Sequence, residues 1–242
     1  MNKNAKKAAI ILSGLMKDYA RENNPLDLCV SDGNEKIGRI KNVSVAPILT
    51  CKGVCNTCVN HCYDLKAVLQ YPGTAKARAR NTVILRNDPF EFFVQLLHAA
   101  QRQRKNLFRL NVGGEIDSLA HLQIIVRVAA MVPKTKFLLF TKKHFLVNSY
   151  VETCGKLPSN LKLIFSTWPG MTVDNPHNFP LSCPYPEKLP HGWKKCIGNC
   201  ELCAQYKCGC WDVEKGRIIG FKYHGNESGE FAAQWDGKEV AV

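Results

Sequence analysis

The sequence contains no run of about 18 apolar residues, the length that a membrane-spanning helix requires. It also lacks low-complexity segments, a convincing internal repeat and a recognisable nucleic-acid-binding motif. Hydrophobic residues make up 45% of the chain and charged residues 22%, a balance that excludes the intrinsically disordered class. The 242 residues therefore predict a folded chain without a membrane partner, built as one large domain or one domain with a small appendage.

A secretion signal is also lacking. Residues 1–9 are basic, but the apolar stretch after them is short and runs into Lys17 and Asp18 without a small-residue cleavage site. We therefore expect an amphipathic first helix and a cytoplasmic protein.

Acidic residues are scarce, with 20 Asp and Glu against 33 Lys and Arg, which gives a formal net charge of +13. Such a charge favours a nucleic-acid or nucleotide partner. The basic side chains that could contact phosphates are Lys76, Arg78, Arg80, Arg102, Arg104 and Lys105. Because runs of this kind are usually solvated helix faces, nucleic acid is only a candidate partner.

The middle of the chain repeats a strand-then-helix pattern. Short apolar strands are predicted at 107–112, 136–141 and 161–166, with helices at 118–131 and 144–154 between them. This alternation is typical of a parallel sheet in an α/β protein. We divide the chain into an N-terminal helical segment (1–40), a βα barrel-like core (41–180) and a Cys-rich C-terminal extension (181–242).

Cysteine is abundant, with 12 residues, and nine of them fall into two clusters. The first cluster follows an extended segment, Val43–Thr50, and consists of Cys51, Cys55, Cys58 and Cys62. In a reducing compartment, tight clusters favour metal ligation over disulfides, and thiolates suit iron–sulfur clusters and zinc. Two ligand triplets are open, one with C-x3-C-x2-C spacing (51, 55, 58) and one with C-x6-C-x3-C spacing (51, 58, 62).

The C-x3-C-x2-C triplet resembles the motif of the radical S-adenosylmethionine enzymes, and Gly113-Gly114-Glu115 at a strand end resembles their GGE motif. The resemblance implies a partial (β/α) barrel of that type and a [4Fe–4S] cluster held by three thiolates. It also implies S-adenosylmethionine as the small-molecule cofactor, with its methionyl amino group near Glu115, and an electron donor as a partner.

A second resemblance covers about Ile37 to Gly225 and is to the gene product 88 family of phages and mobile elements. The resemblance rests on four stretches: the cysteines ending in Cys62-Tyr63, the strand 108–115, the stretch 137–143 and the C-terminal Cys-x-Gly-Asn-Cys-x-x-Cys-Ala. This resemblance implies Cys51, Cys58 and Cys62 as ligands and leaves Cys55 as an extra thiol.

The second cluster consists of Cys196, Cys200, Cys203, Cys208 and Cys210. Gly198 and Gly209 allow the backbone to fold tightly around a metal. We expect either a second iron–sulfur cluster or a zinc ion here. The best ligand set is Cys196, Cys200, Cys203 and Cys210, with Cys208 or Cys183 as substitutes.

Polar residues at the predicted strand ends complete the candidate cofactor site, because α/β proteins bind ligands at the carboxyl ends of parallel strands. The candidates are Gly113, Gly114, Glu115, Thr141, Lys142 and Ser166. The favoured function is a radical S-adenosylmethionine-like iron–sulfur enzyme. The alternatives are a non-catalytic zinc- or iron–sulfur-stapled protein that binds nucleic acid, and an iron–sulfur electron carrier.

Overall fold

The computed structural model of the chain describes residues 2–22, 24–52, 55–168 and 170–223. Its helices are α1 (Lys3–Arg21), α2 (Asn56–Asn60), α3 (Tyr63–Gln70), α4 (Pro72–Asn87), α5 (Pro89–Gln101), α6 (Leu119–Met131), α7 (His144–Cys154) and α8 (Cys200–Tyr206). Its strands are β1 (Lys41–Val43), β2 (Leu107–Leu110), β3 (Lys136–Thr141), β4 (Leu161–Ser166), β5 (Leu181–Tyr185), β6 (Lys194–Lys195) and β7 (Ile218–Lys222). The sequence also predicts a β-rich segment from Glu230 to Trp235, which lies outside the described residues.

The strands form one sheet in the order β1-β2-β3-β4-β5-β7-β6, and the paired strands run parallel. In the described part of the chain the sheet is not closed, because β1 and β6 occupy opposite edges. The predicted α/β class is confirmed. The radical-enzyme type of barrel stays a prediction.

One face of the sheet, the helix face, is covered by α5, α6 and α7. Alternate strand residues such as Phe108, Phe137 and Leu163 point to this side and share a buried cluster with Leu96 and Ile125. Successive parallel strands joined by right-handed crossovers place their helices on the same side. The helices therefore leave the other face free for a different cover.

The other face, the cysteine face, is covered by the segment 196–213. Leu138 and Ile164, which alternate with the residues of the helix face, pack there with Trp211, Val213 and Cys203. The chain after residue 180 thus contributes three strands to the same sheet and the cover of its second face.

Helix starts follow the capping chemistry that the sequence predicts. The Asp88 carboxylate accepts a hydrogen bond from the Glu91 backbone N–H at 2.9 Å, ahead of Pro89 in the first turn of α5. The Ser118 hydroxyl caps α6 in the same way. The predicted extended segment Val43–Thr50 is wrong in its second half: β1 ends at Val43, and residues 47–49 form a turn that begins at a proline.

The N-terminal helix α1 packs against α3 and α4. Ala5, Ala8 and Leu12 are buried in a cluster with Val68 and Ala79. The predicted amphipathic first helix is confirmed. Among the described residues, no helix has the length and apolar character needed to cross a membrane.

Candidate functional site

The first cysteine cluster, called the edge cysteines (Cys51, Cys55, Cys58 and Cys62), lies on the loop and short helix that follow β1. Because the strands are parallel, this loop lies at the carboxyl edge of the sheet together with the segments that follow β2 and β3. Cys51, Cys58 and Cys62 lie close enough for their charges to affect one another. Cys55 is found among the electrostatic neighbours of Cys58.

Glu115 joins three of the segments at this edge. Its carboxylate accepts hydrogen bonds from the Thr141 hydroxyl at 2.6 Å and from the Lys142 backbone N–H at 2.9 Å. Its own backbone N–H donates to the Thr50 hydroxyl at 3.0 Å. The side chain is 5% exposed, so these bonds hold a buried carboxylate in a fixed orientation. Each carboxylate oxygen retains capacity for one further donor.

The two glycines before Glu115 are required by their surroundings. Gly114 has a φ of +75°, and a Cβ there would lie 2.5 Å from the Val45 carbonyl oxygen. A Cβ on Gly113 would collide with the Asp64 carboxylate, which is buried and paired with Arg78 at 3.2 Å. The Gly-Gly-Glu sequence thus permits a close approach of β2's end to the loop after β1.

Lys142 is the positive charge among the edge cysteines. Burial opposes its ammonium, but the surrounding Cys58 and Glu115, with Cys51 and Cys62, raise its pKa above the usual value. A charged lysine next to several thiols favours their thiolate forms. The site can therefore hold negative charge at the sheet edge.

Burial has the opposite effect on the thiols themselves. It raises the pKa of Cys51 to about 12, with Glu115 adding to the shift, and it raises the pKa of Cys62 to about 11. Burial also raises the pKa of Cys58, against the lowering effect of Lys142. Without a bound cation these thiols stay protonated near neutral pH. A bound metal would supply the missing positive charge.

Three aromatic rings, those of Trp168, Tyr223 and His61, lie beside the edge cysteines, and the central one is His61. Its ring stacks on Trp168 at 5.7 Å between centroids, and its Nδ1 lies 2.7 Å from the Tyr223 hydroxyl. The Trp168 side chain also hydrogen-bonds to Cys58. Tyr223 is 162 residues from His61 in the chain, so no local pattern could reveal the pair.

The other predicted cofactor residues fall into two groups. Thr141 is fully buried and belongs to the Glu115 network. Ser166 lies at the carboxyl end of β4, where its hydroxyl contacts Ser182 at 3.1 Å and its carbonyl contacts His144 at 3.0 Å. The structure therefore brings Glu115, Thr141 and Lys142 together and places Ser166 in a neighbouring polar group.

The second cluster, called the face cysteines (Cys196, Cys200, Cys203, Cys208 and Cys210), lies on the cysteine face of the sheet. The Cys210 thiol hydrogen-bonds to Cys203 and, with backbone N–H groups of Cys210 and Trp211, lowers the Cys203 pKa to about 6 against the effect of burial. Cys196 lies within electrostatic range of Cys200 and Cys203. The Cys208 thiol also hydrogen-bonds to Cys203, so all five thiols gather at one place.

Arg109 lies under the face cysteines and was not predicted from the sequence. Its Nη1 donates to the Cys200 sulfur at 2.9 Å, and its guanidinium packs over the Phe140 ring at 4.9 Å. A charged residue inside the apolar run 107–112 is the signal that could have identified it. Cys183, a predicted substitute ligand, lies on the same side of β5 as Leu181. Leu181 packs in the cluster of the helix face, so Cys183 lies on the side of the sheet opposite the face cysteines.

In the parts of the chain that the structure describes, no three Cys, His, Asp or Glu side chains stand in the arrangement that holds a metal ion. Ligation at either cluster therefore requires thiol side chains to rotate toward a common point. The donor chemistry fits: each cluster gathers soft sulfur donors with a cation, Lys142 or Arg109, beside them. The predicted metal ligands stay predictions.

Part of the basic run on α4 is used inside the fold. Arg78 pairs with buried Asp64, and Arg80 packs its guanidinium 5.1 Å from the centre of the Tyr19 ring. Arg86 forms a two-contact ion pair with Asp117 at 2.7 and 2.8 Å. These arginines serve helix packing, which weakens the argument from net charge to a nucleic-acid partner.

Fold and site together define an α/β protein with a parallel sheet, a cysteine loop at its carboxyl edge and a second cysteine group on one face. The sequence profile of the Gene product 88 family matches residues 20–171, and the chain belongs to that family. The match includes the edge cysteines and Glu115 and ends before the face cysteines. No curated protein and no solved structure matches the chain.

Proposed function

We propose that the chain is an iron–sulfur protein of the radical S-adenosylmethionine type, with a [4Fe–4S] cluster held by Cys51, Cys58 and Cys62. The observation that carries the proposal is the position of these thiols at the carboxyl edge, beside a carboxylate that is fixed by the next strand. The resemblance to the Gene product 88 family favours this triplet over the one that includes Cys55. Cys51, Cys58 and Cys62 would hold a cluster with one open iron, and after reduction by an electron donor this group would supply the electron for reductive cleavage of S-adenosylmethionine.

The chain's own residues have separate tasks in this proposal. Glu115, held by Thr141 and the Lys142 backbone, has free acceptor capacity for an ammonium group. The Lys142 ammonium balances thiolate charge and can pair with a carboxylate. The amino and carboxylate groups of a methionyl moiety match these two partners.

The aromatic cover has a protective task. Trp168, His61 and Tyr223 form a connected group above the thiols. Excluding water strengthens electrostatic interactions inside a site and prevents side reactions of reactive species. The chain therefore combines a ligand loop, an orienting carboxylate and a cover at one edge of the sheet.

The test is anaerobic purification of the full chain and of single serine variants. Cys51→Ser, Cys58→Ser and Cys62→Ser should each lose most of the iron and labile sulfide, whereas the matched variant Cys55→Ser should keep them. After reduction with S-adenosylmethionine present, the unsubstituted chain should release 5′-deoxyadenosine. Iron without 5′-deoxyadenosine would indicate an electron carrier, and zinc without labile sulfide at the edge would refute an iron–sulfur protein.

The role of Glu115 can be measured separately. Glu115→Gln keeps the shape of the side chain and one acceptor oxygen for the Lys142 backbone N–H, and its NH2 group can donate to the Thr141 hydroxyl. It removes the charge that would face an ammonium group. We expect iron content to remain and 5′-deoxyadenosine formation to fall about 100-fold, the order of a lost charge-assisted contact. An equal loss of iron would instead assign Glu115 to holding the loop.

A further inference from the structure

The face cysteines form a compact group whose sulfur atoms are already engaged by donors. The Gly198 backbone N–H donates to the Cys196 sulfur at 3.4 Å, and the Arg109 guanidinium donates to the Cys200 sulfur at 2.9 Å. The Cys203 sulfur accepts from the backbone N–H groups of Cys210 and Trp211. Donors aimed at sulfur favour thiolates, whereas burial raises the pKa of Cys196 and contributes to the raised pKa of Cys210, so a bound cation would supply the positive charge that the group lacks.

The contact between two of the thiols favours a single ion over a larger cluster. The Cys203 and Cys210 thiols share a hydrogen bond, and Gly209 between them is packed so tightly that a Cβ would lie 2.6 Å from the Cys203 sulfur. Two thiolates on one tetrahedral zinc ion, with Zn–S bonds of about 2.3 Å, lie about 3.8 Å apart. In an iron–sulfur cube each cysteine binds a different iron, which requires the sulfur atoms to lie much farther apart.

We propose that Cys196, Cys200, Cys203 and Cys210 bind one structural zinc ion, with Arg109 as the cation that compensates the surplus charge of four thiolates. Cys208 also lies beside the Cys203 thiol, but we leave it outside the set because it is less buried than Cys210 and its own thiol is directed to the Cys203 carbonyl oxygen at 3.9 Å. This site is separate from the one proposed at the sheet edge and does not depend on it.

The surroundings show what the zinc ion would do. Two of its ligands, Cys203 and Cys210, are buried in the cluster that joins Leu138 and Ile164 of the sheet to Trp211. The Trp211 indole N–H donates to the Cys200 carbonyl at 2.9 Å and ties the two ends of the segment together. Because no helix of the βα repeats covers this face, the metal would fasten the segment that does so.

The test is zinc, iron and labile sulfide analysis of the full chain after purification from medium that contains both metals. We expect about one zinc ion per chain, retained in Cys208→Ser and reduced at least ~10-fold in Cys200→Ser and Cys203→Ser after dialysis against a chelator. Cys51→Ser should keep its zinc even if it loses iron, so failure of the edge proposal leaves this result intact.

Arg109 has its own readout. Arg109→Met should lower zinc affinity about 10-fold in chelator competition, and Arg109→Lys should recover part of it because it restores the charge. If the cysteine variants do not fold, the unsubstituted chain stripped of zinc and loaded with Co²⁺ should show the absorption of cobalt in a tetrahedral four-thiolate site. Iron and sulfide at the face cysteines, absence of that absorption, or equal zinc loss in Cys208→Ser and Cys203→Ser would overturn the proposal.

Discussion

The edge cysteines and the face cysteines begin with the same C-x3-C-x2-C spacing, at 51–58 and at 196–203, yet their surroundings differ. At the edge, the thiols hydrogen-bond to residues other than cysteine. Cys51 bonds to the Ile48 backbone, Cys58 to the Trp168 side chain and Cys62 to the Leu65 backbone. At the face, the Cys203 and Cys210 thiols hydrogen-bond to each other, and Arg109 lies beneath the group. The same spacing within a loop therefore occurs in two different surroundings, and the two proposals rest on those surroundings.

The two regions also differ in what they hold together. The face cysteines belong to the buried cluster that covers one side of the sheet, whereas the edge cysteines lie on a loop at its rim. Loss of a metal should therefore have unequal consequences for stability.

Loss of a face ligand should destabilise the fold most. Cys203→Ser should lower the free energy of unfolding by at least ~4 kcal/mol, because the metal-bound segment covers a face of the sheet. Cys51→Ser should lower it by about 1–2 kcal/mol. Urea unfolding of the two variants measures the difference, and equal losses would remove the distinction between a structural region and a functional one.

Acid should weaken the helix face through His121, away from both cysteine regions. Burial lowers the pKa of this histidine to about 4, and its Nδ1 accepts a hydrogen bond from the Asp117 backbone N–H at 3.2 Å. Because the unfolded chain binds this proton near pH 6.5, the contribution is complete above that pH and is lost as the pH falls toward 4. The loss should reach about 3 kcal/mol.

The matched variant for this effect is His121→Asn, which keeps an acceptor but does not titrate. Contributions from metal ligands are common to the unsubstituted protein and to His121→Asn. The difference between their free energies of unfolding, measured against pH, therefore isolates the contribution of His121. The account expects a shallower decline between pH 6.5 and 4 in the variant. Identical slopes would show that acid acts through the cysteine regions instead.

Glycine replacement should separate the edge site from the rest of the fold. Gly114→Ala introduces a Cβ 2.5 Å from the Val45 carbonyl at a φ of +75° and should cost about 2 kcal/mol. Gly155→Ala has a similar φ of +88° but open space around it, so about 1 kcal/mol is expected. Thermal unfolding measures the loss of stability in each variant. Metal analysis should show that Gly114→Ala loses iron and keeps zinc, whereas Gly155→Ala keeps both metals.

Much of the sheet is predictable from apolar periodicity. The boundaries of β3, β4 and α7 agree with the sequence, because each is a short apolar run or an amphipathic repeat with clear ends. The strand β5 was not predicted, since Pro184 lies within it. The pairing of β5 with β4 ends at Ser182, before the proline. The sheet therefore needs no backbone N–H from Pro184 toward β4.

The candidate site was predictable residue by residue but not as an assembly. Strand ends drew attention to Glu115, Thr141 and Lys142 separately, and the hydrogen bonds among them follow from parallel register. The contact between Arg109 and Cys200 joins residues 91 positions apart. No periodicity encodes such a pair, because the contact depends on how the segment between β6 and β7 folds back over the sheet.

The most direct measurement is the metal content of the unsubstituted full chain, purified without oxygen. The account predicts about four iron atoms and four labile sulfides per chain at the edge, together with about one zinc ion at the face. Zinc without labile sulfide would contradict the iron–sulfur function, and iron with sulfide sufficient for two clusters and no zinc would contradict the distinction between the two cysteine regions.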